Sequence, residues 1–176
     1  IRLMGVGEET VKDLKDKKIQ PAVEVPAAIF GGDDAVYNSL IKARKNGISL
    51  AAVCSLDGAA IAKKAGMKLC ALPGTNIFNT LSLDEFARLG FTDAILSTEL
   101  KLVQCASLGG KLPRGVFAYG RLPLMQTRNC PVKNGTTCDK CRKHGSLTDR
   151  MGVTFPDECT PFASTLLNSV PIVESD

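Results

Sequence analysis

The chain is poor in the groups that hydrolytic catalysis ordinarily uses. One histidine, His144, stands among 176 residues, so a serine or cysteine nucleophile with a histidine partner would have to use it. It lies inside a basic, cysteine-rich stretch, a poor place for a general base and a better one for a spare metal ligand or a solvent-exposed residue. The chain has no HExxH, no G-x-S-x-G elbow, no phosphate-binding P-loop and no G-x-G-x-x-G after a strand, which leaves the common metalloprotease, hydrolase and nucleotide signatures without a carrier. No apolar run approaches the roughly 20 residues that span a bilayer, and no charged-then-apolar signal segment opens the chain. With Ile1 first, these features predict a soluble cytoplasmic protein with no membrane partner, and a piece of a longer one.

What is present is enough apolar material for a core, 44% of residues, and a net charge of +4 that is unevenly spread. From Arg121 to Arg150 there are seven Lys and Arg against two acids, Asp139 and Asp149. Such a stretch serves either as a solvated loop or as a patch for phosphate or another anion, with Arg128, Lys140, Arg142 and Lys143 as the candidates. The seven cysteines are an odd number in a chain read as cytosolic, where disulfides are disfavoured. Cys54, Cys70 and Cys105 sit singly in apolar surroundings and read as buried small hydrophobes.

From residue 20 to 120 a pattern repeats. A short, continuous apolar run is followed by a polar turn and then by helical periodicity ending at glycine. The runs are PAVEV (21 to 25), ISLAAV (48 to 53), MKLCAL (67 to 72), DAILS (93 to 97) and GVFAY (115 to 119). Such runs alternating with helices predict parallel strands covered on both faces. Asp33 and Asp34 are candidate caps for a helix stopping at Asn46-Gly47, and Gly66 and Gly90 stand where left-handed C-terminal caps belong. SLDE (82 to 85) reads as a capping box with Ser82 as cap, and residues 7 to 18 as an exposed charged helix. The fold class is therefore α/β, built of repeated βα units. The cadence suits a (β/α) barrel or an open doubly wound sheet, and five strands are too few to close an eight-stranded barrel. Barrel material would be the later part of one, with an edge left by its missing strands.

In either architecture chemistry belongs at the carboxyl ends of the strands. There the sequence supplies Ser55 and Asp57, then Asn76 and Asn79, then Ser97, Thr98 and Glu99, then Tyr119 and Arg121. Ser55, Asp57, Ser97 and Thr98 suit helix capping. Glu99, Asn76 and Arg121 add groups that a cap does not require.

After residue 120 the alternation stops, and 121 to 161 reads as loop. The division expected is 1 to 120, a partial barrel segment, and 121 to 176, a cysteine-rich tail packed on it. The ligand candidates are Cys130, Cys138, Cys141 and Cys159, with seven, two and seventeen residues between them. The CDKC pair lets two thiolates reach one metal from a tight turn. A structural zinc site, with His144 able to replace one thiolate, and an iron-sulfur cluster both fit this spacing. A redox pair at Cys138 and Cys141 is weaker, because no βαβ start follows it.

The string NIFNTLSLDEFARLGFTDAILSTELKL, followed by GVFAYGRLPLMQTRNCP and LTDRMGVTFP, resembles the collagenase-like peptidase family thirty-two, of unknown catalytic type. The resemblance runs from about Val23 to the C-terminus and implies the later strands of a (β/α)8 TIM-like barrel, with the earlier strands as a missing partner. The family name implies a collagen-degrading peptidase. Several members are implicated in oxygen-independent hydroxylation of RNA bases or of a quinone precursor, with a four-iron, four-sulfur cluster held by four cysteines. By position Cys130 matches the first of them, and Cys138, Cys141 and Cys159 are the available partners. The usual His-Gly before the first cysteine is Tyr119-Gly120 here, and the cysteine spacing is tighter than the common one.

The reading that follows is an iron-sulfur enzyme modifying RNA bases or a related small aromatic substrate. Its cluster would dock over the strand ends, with Glu99, Asn76, Tyr119 and Arg121 facing the reacting ligand and the 121 to 150 basics receiving RNA or an anionic cosubstrate. The alternatives are a peptidase and a non-catalytic, zinc-stapled docking module, and an exposed sheet edge would allow a homodimer.

Overall fold

The computed structural model describes residues 7 to 133, 135, 137 to 141 and 144 to 173. The chain divides into two units, Ile1–Phe117 and Ala118–Asp176. The division falls three residues before the one expected from sequence.

The first unit is mixed α/β. Its elements run α1 (Glu8–Asp16), β1 (Ala22–Glu24), α2 (Asp33–Lys45), β2 (Leu50–Val53), α3 (Leu56–Lys64), β3 (Lys68–Ala71), a 3-10 turn (Pro73–Thr75), α4 (Thr80–Arg88), β4 (Phe91–Ile95), α5 (Leu102–Ser107) and β5 (Arg114–Gly115). The five strands form one sheet in chain order, β1-β2-β3-β4-β5, and every neighbouring pair is parallel. Each crossover is a βα unit, so the short apolar runs become strands because helices return the chain to the same sheet.

Register fixes which side chains share a face. Val23, Ala51 and Leu69 are aligned across three strands, each no more than 2% exposed. Val36, Leu40 and Ala43 of α2, Gly58, Ala59 and Ala62 of α3, and Leu83 of α4 are buried. The helices lie side by side. Arg44 donates to the Ala65 carbonyl, Lys64 sits 5.3 Å over the Tyr37 ring, and Lys63 donates to the Leu89 carbonyl. The opposite row, Glu24, Ala52, Cys70 and Asp93, is mixed, with Glu24 exposed and Asp93 half-buried.

The glycines at 47, 66 and 90 have φ of 86°, 73° and 93°, the left-handed region in which a helix can stop without a Cβ penalty. Two expected caps are corrected. Gly32 precedes α2, and Asp33 and Asp34 lie in its first turn, where they meet the positive end of the helix dipole without capping it. The cap of α4 is Asn79, not Ser82. Asn79 Oδ1 accepts from Ser82 N at 2.8 Å while Ser82 Oγ accepts from Asn79 N at 3.3 Å, so Ser82 is the reciprocal partner of the box. The helix at the start is charged and mostly exposed, but its Val11 is buried.

The second unit is not the loop expected. It holds β6 (Tyr119–Gly120), β7 (Pro123–Thr127), α6 (Cys138–Cys141), β8 (His144–Thr148), β9 (Thr154–Cys159), β10 (Ser164–Leu167) and β11 (Ile172–Val173). Strands β7, β10, β9 and β8 form a four-stranded antiparallel sheet in that order, and β6 pairs with β11. The polar residues that suggested loop close two tight hairpins instead. Asp149 Oδ1 accepts from the Met151 and Val153 amides at 2.8 and 2.9 Å, turning β8 into β9. Thr160 Oγ1 accepts from the Phe162 and Ala163 amides at 3.2 and 3.1 Å, turning β9 into β10. The GVFAY segment is likewise split, with Gly115 in β5 of the first sheet and Tyr119 in β6 of the second unit. No helix among the described residues is long and apolar enough to cross a membrane.

Candidate functional sites

In the first unit the strand-end residues separate by role. Ser55 caps α3, its Oγ accepting from Gly58 N at 3.1 Å, and Asp57 lies in that helix's first turn. Asn79 caps α4, so its side chain is committed to the backbone. Ser97 does something else. It is 5% exposed, and its hydroxyl donates to Asn76 Oδ1 at 2.7 Å while accepting from Glu99 N at 3.3 Å. The Ser97 amide in turn donates to the Ile77 carbonyl at 2.9 Å.

Asn76 closes the 3-10 turn after β3 in the left-handed region, φ 52° and ψ 49°, which a non-glycine residue adopts at a cost and asparagine best tolerates. Ser97 takes the amide oxygen of Asn76, which is itself exposed. Glu99, two residues after Ser97, has an exposed side chain. The turn is held close by Gly74, where a Cβ would stand 2.8 Å from the Cys54 Cβ and 3.0 Å from the Cys54 carbonyl oxygen. The ends of β2, β3 and β4 are thereby tied together around Asn76 and Ser97.

The isolated thiols are poor nucleophiles. Burial pushes the Cys54 thiol up to about 11, with the Glu24 carboxylate adding to it. Burial and the neighbouring Asp93 carboxylate push Cys70 up to about 12. Cys70 and Cys105 are buried and Cys54 half-buried. Both raised values keep the thiol protonated near neutrality.

In the second unit Arg121 is held by backbone. Its guanidinium donates to the Asn168 carbonyl at 2.8 Å and to that of Ser169, bracing the segment after β10. Tyr119 is 73% exposed on β6. Arg128 and Lys140 are exposed, whereas Arg142 and Lys143 lie outside the described residues. Asn76 and Glu99 therefore meet around Ser97 in one unit, and Tyr119 and Arg121 belong to the other.

The topology of the four-stranded sheet brings the chain segments that carry the four clustered cysteines to one of its ends. Cys159 is the last residue of β9 and is aligned with Ser164, the first of β10, which is aligned with Thr127, the last of β7. His144, the first residue of β8, is aligned with Glu158. Cys130 follows Thr127 by three residues and Cys141 precedes His144 by three, a reach of at most about 11 Å of extended chain. Thus the 28 residues between Cys130 and Cys159 are spanned by the width of two strand spacings, roughly 10 Å, plus the short tether after β7.

The donor set suits a thiophilic metal or an iron-sulfur cluster, but the thiols do not stand in a cage. Cys138 is exposed, the other three are half-buried, and the Cys159 thiol donates to the Thr160 carbonyl at 3.7 Å. Among the described residues no group of three or more His, Cys, Asp and Glu is placed to hold a metal ion.

Two buried polar residues in this unit escaped sequence reasoning. Asp157 and Ser164 are each 2% exposed, and Ser164 Oγ donates to Asp157 Oδ2 at 3.2 Å. Burial raises the Asp157 carboxyl above its ordinary value against the opposing effect of the Ser164 hydrogen bond, and the Glu158 carboxylate adds to the rise. The only signal for either was an acid two positions before a candidate ligand cysteine.

Comparison with protein-family models, with curated proteins and with solved structures found no match to the chain.

Proposed function

We propose that the chain is a segment of an iron-sulfur enzyme whose cluster is carried by Cys130, Cys138, Cys141 and Cys159. The observation that carries this reading is that Cys159 ends β9 at the same end of the β7-β10-β9-β8 sheet where β7 ends three residues before Cys130 and β8 begins three residues after Cys141, with Cys138 in the same α6 turn as Cys141. Binding requires the short α6 turn and the Cys130 loop to close on Cys159. When bound, such a cluster supplies electron transfer or an open iron site to a reaction; the chain's own contribution is to hold it at the sheet end.

The substrate class that fits is an RNA base or a related small aromatic molecule. Exposed Arg128 and Lys140 flank the cysteines and suit a phosphate backbone. In the first unit, the exposed Asn76 amide and the Glu99 carboxylate suit the donor and acceptor groups on the edge of a base. That unit reads as the later strands of a (β/α) barrel. Its strand order follows chain order, whereas a doubly wound sheet reverses at a switch point.

The test is iron and acid-labile sulfide content with a visible spectrum, on protein purified without oxygen, beside the Cys138→Ser/Cys141→Ser double variant. Iron, sulfide and brown colour lost together in the variant is the expected result. A colourless protein with stoichiometric zinc would replace the cluster by a structural staple, and one with no metal at all would end the metal reading.

A further inference from the structure

The buried acid in the second unit has an incomplete set of partners. Asp157 is 2% exposed, its Oδ2 is met by Ser164, and its Oδ1 is buried with no hydrogen-bond partner among the described residues. An acceptor left unmet inside a protein is costly, and more so when it carries charge, so Oδ1 is an oxygen that a ligand would stabilise. The polar groups across the sheet do not supply it. Its aligned neighbours are Gly145 on β8, which has no side chain, and Leu166 on β10, which is apolar.

The carboxyl group leans in a defined direction. Asp157 is aligned with Leu166, yet the hydroxyl it reaches belongs to Ser164, two residues nearer the end of the sheet at which Cys159 stands. Asp157 and Cys159 are two positions apart on one strand, so their side chains share a face with their Cα atoms roughly 7 Å apart. Two ligands at that spacing on a strand can chelate one metal ion. The loop that carries Cys130 reaches the same face. Val132 lies on Gly145, so near that a Cβ there would stand 2.7 Å from Val132 Cγ2. Gly145 is the residue directly across from Asp157. Val132 of the Cys130 loop therefore lies on the sheet face that carries the Asp157 and Cys159 side chains, over the residue paired with Asp157.

We propose that Asp157 supplies an oxygen ligand to the metal centre of this sheet end, chelating with Cys159, so that the centre has a mixed sulfur and oxygen donor set. The inference rests on the thiolate reading above and adds a donor that cysteine spacing does not disclose. It also accounts for Ser164, whose hydroxyl holds Oδ2 and leaves Oδ1 to the metal. A carboxylate exchanges more readily than a thiolate on a soft metal, so this is the position at which an incoming ligand would displace protein.

The test uses Co(II) as probe, titrated without oxygen into the reduced full chain. Sulfur-to-cobalt charge-transfer absorption reports thiolate ligation, and the visible ligand-field bands report the rest of the donor set. Wild type is expected to show both, and Asp157→Asn to keep the charge-transfer intensity while its ligand-field bands shift and its Co(II) affinity falls at least tenfold. Ser164→Ala, which leaves the carboxylate in place, is expected to alter the same bands to a smaller extent, and it serves where Asp157→Asn does not fold. Unchanged bands and affinity in the Asn variant, or unchanged bands in the Ala variant when only that one folds, would make Asp157 a purely structural residue while leaving the thiolate reading intact. Absence of charge-transfer absorption in wild type, or its survival unchanged in Cys138→Ser/Cys141→Ser, would overturn the thiolate reading and this inference with it.

Discussion

Gly145→Ala tests how the cysteine-bearing loop is seated. A Cβ at that position would stand 2.7 Å from Val132 Cγ2, 3.1 Å from Cγ1 and 3.4 Å from Cβ. Carbon atoms pack at about 3.5 to 4.0 Å, so the first contact overlaps by nearly an ångström. Val132 is 8% exposed and cannot swing into solvent without giving up its burial. Overpacking of this kind costs about 1–3 kcal/mol. The backbone of Gly145 is not in the left-handed region, so alanine also gains about 0.4–1 kcal/mol by restricting the unfolded chain. The net expectation is a loss of about 1–2 kcal/mol, local to β8 and β9. In a Val132→Ala background both offending methyls are gone, and the same glycine change should become neutral or slightly stabilising. The assay is amide hydrogen exchange of β8 and β9 in the two singles and the double, read as a double-mutant cycle. A cycle that adds up, with Gly145→Ala equally harmful in both backgrounds, would falsify the claim that the Cys130 loop lies on this strand.

Two further outcomes are expected. Asn79→Ala removes the side-chain acceptor of the α4 capping box while leaving the backbone bond from Asn79 N to Ser82 Oγ, and should lower stability by about 1 kcal/mol in urea unfolding, with Asn79→Ser recovering most of it; an equal loss at Ser82→Ala alone would return the cap to Ser82. Cys70, raised to about 12, and Cys54, raised to about 11, should resist alkylation at neutral pH in the folded chain. Since their folded values lie above the ordinary 9.0, the stabilising preference for the protonated thiol is whole below pH 9 and is lost as pH rises toward the folded values, so wild type should lose stability across that window more steeply than Cys70→Ala.

The parallel sheet was legible because its signal is redundant. Each of the first four strands lies within or overlaps a continuous apolar run, and three of the intervening turns end in glycines whose positive φ a side chain would resist. The caps were less legible, since Asn79 and Ser82 are both capping residue types three positions apart and only backbone geometry decides which of them leads. The second unit hid its strands. Pro123, Pro156, Thr148, Thr154 and Glu158 break the apolar runs, and the hairpins are closed by single side chains, Asp149 and Thr160, that look like loop composition. Cysteine spacing marked four thiols as candidates, but nothing in spacing distinguishes Asp157, which is buried, from Glu158 beside it; that difference exists only once a strand assigns them to opposite faces.

The two units place chemistry by opposite means. In the parallel sheet every strand delivers its carboxyl end to the same edge, so residues that follow different strands meet without further design, and the Ser97 hydroxyl need only lock Asn76 in place. In the antiparallel sheet neighbouring strands run oppositely, so one end collects the tail of β7 and β9 with the head of β8 and β10. A cysteine just after a strand and another just before one are therefore brought together only if the hairpins between them keep register. A one-residue slip between β8 and β9 would move Asp157 and Cys159 to the other face relative to Gly145 and the loop lying on it. The tight Asp149 turn thus matters to the cysteine-bearing end although it lies at the far end of the hairpin, because it sets the register on which the positions of Asp157 and Cys159 depend.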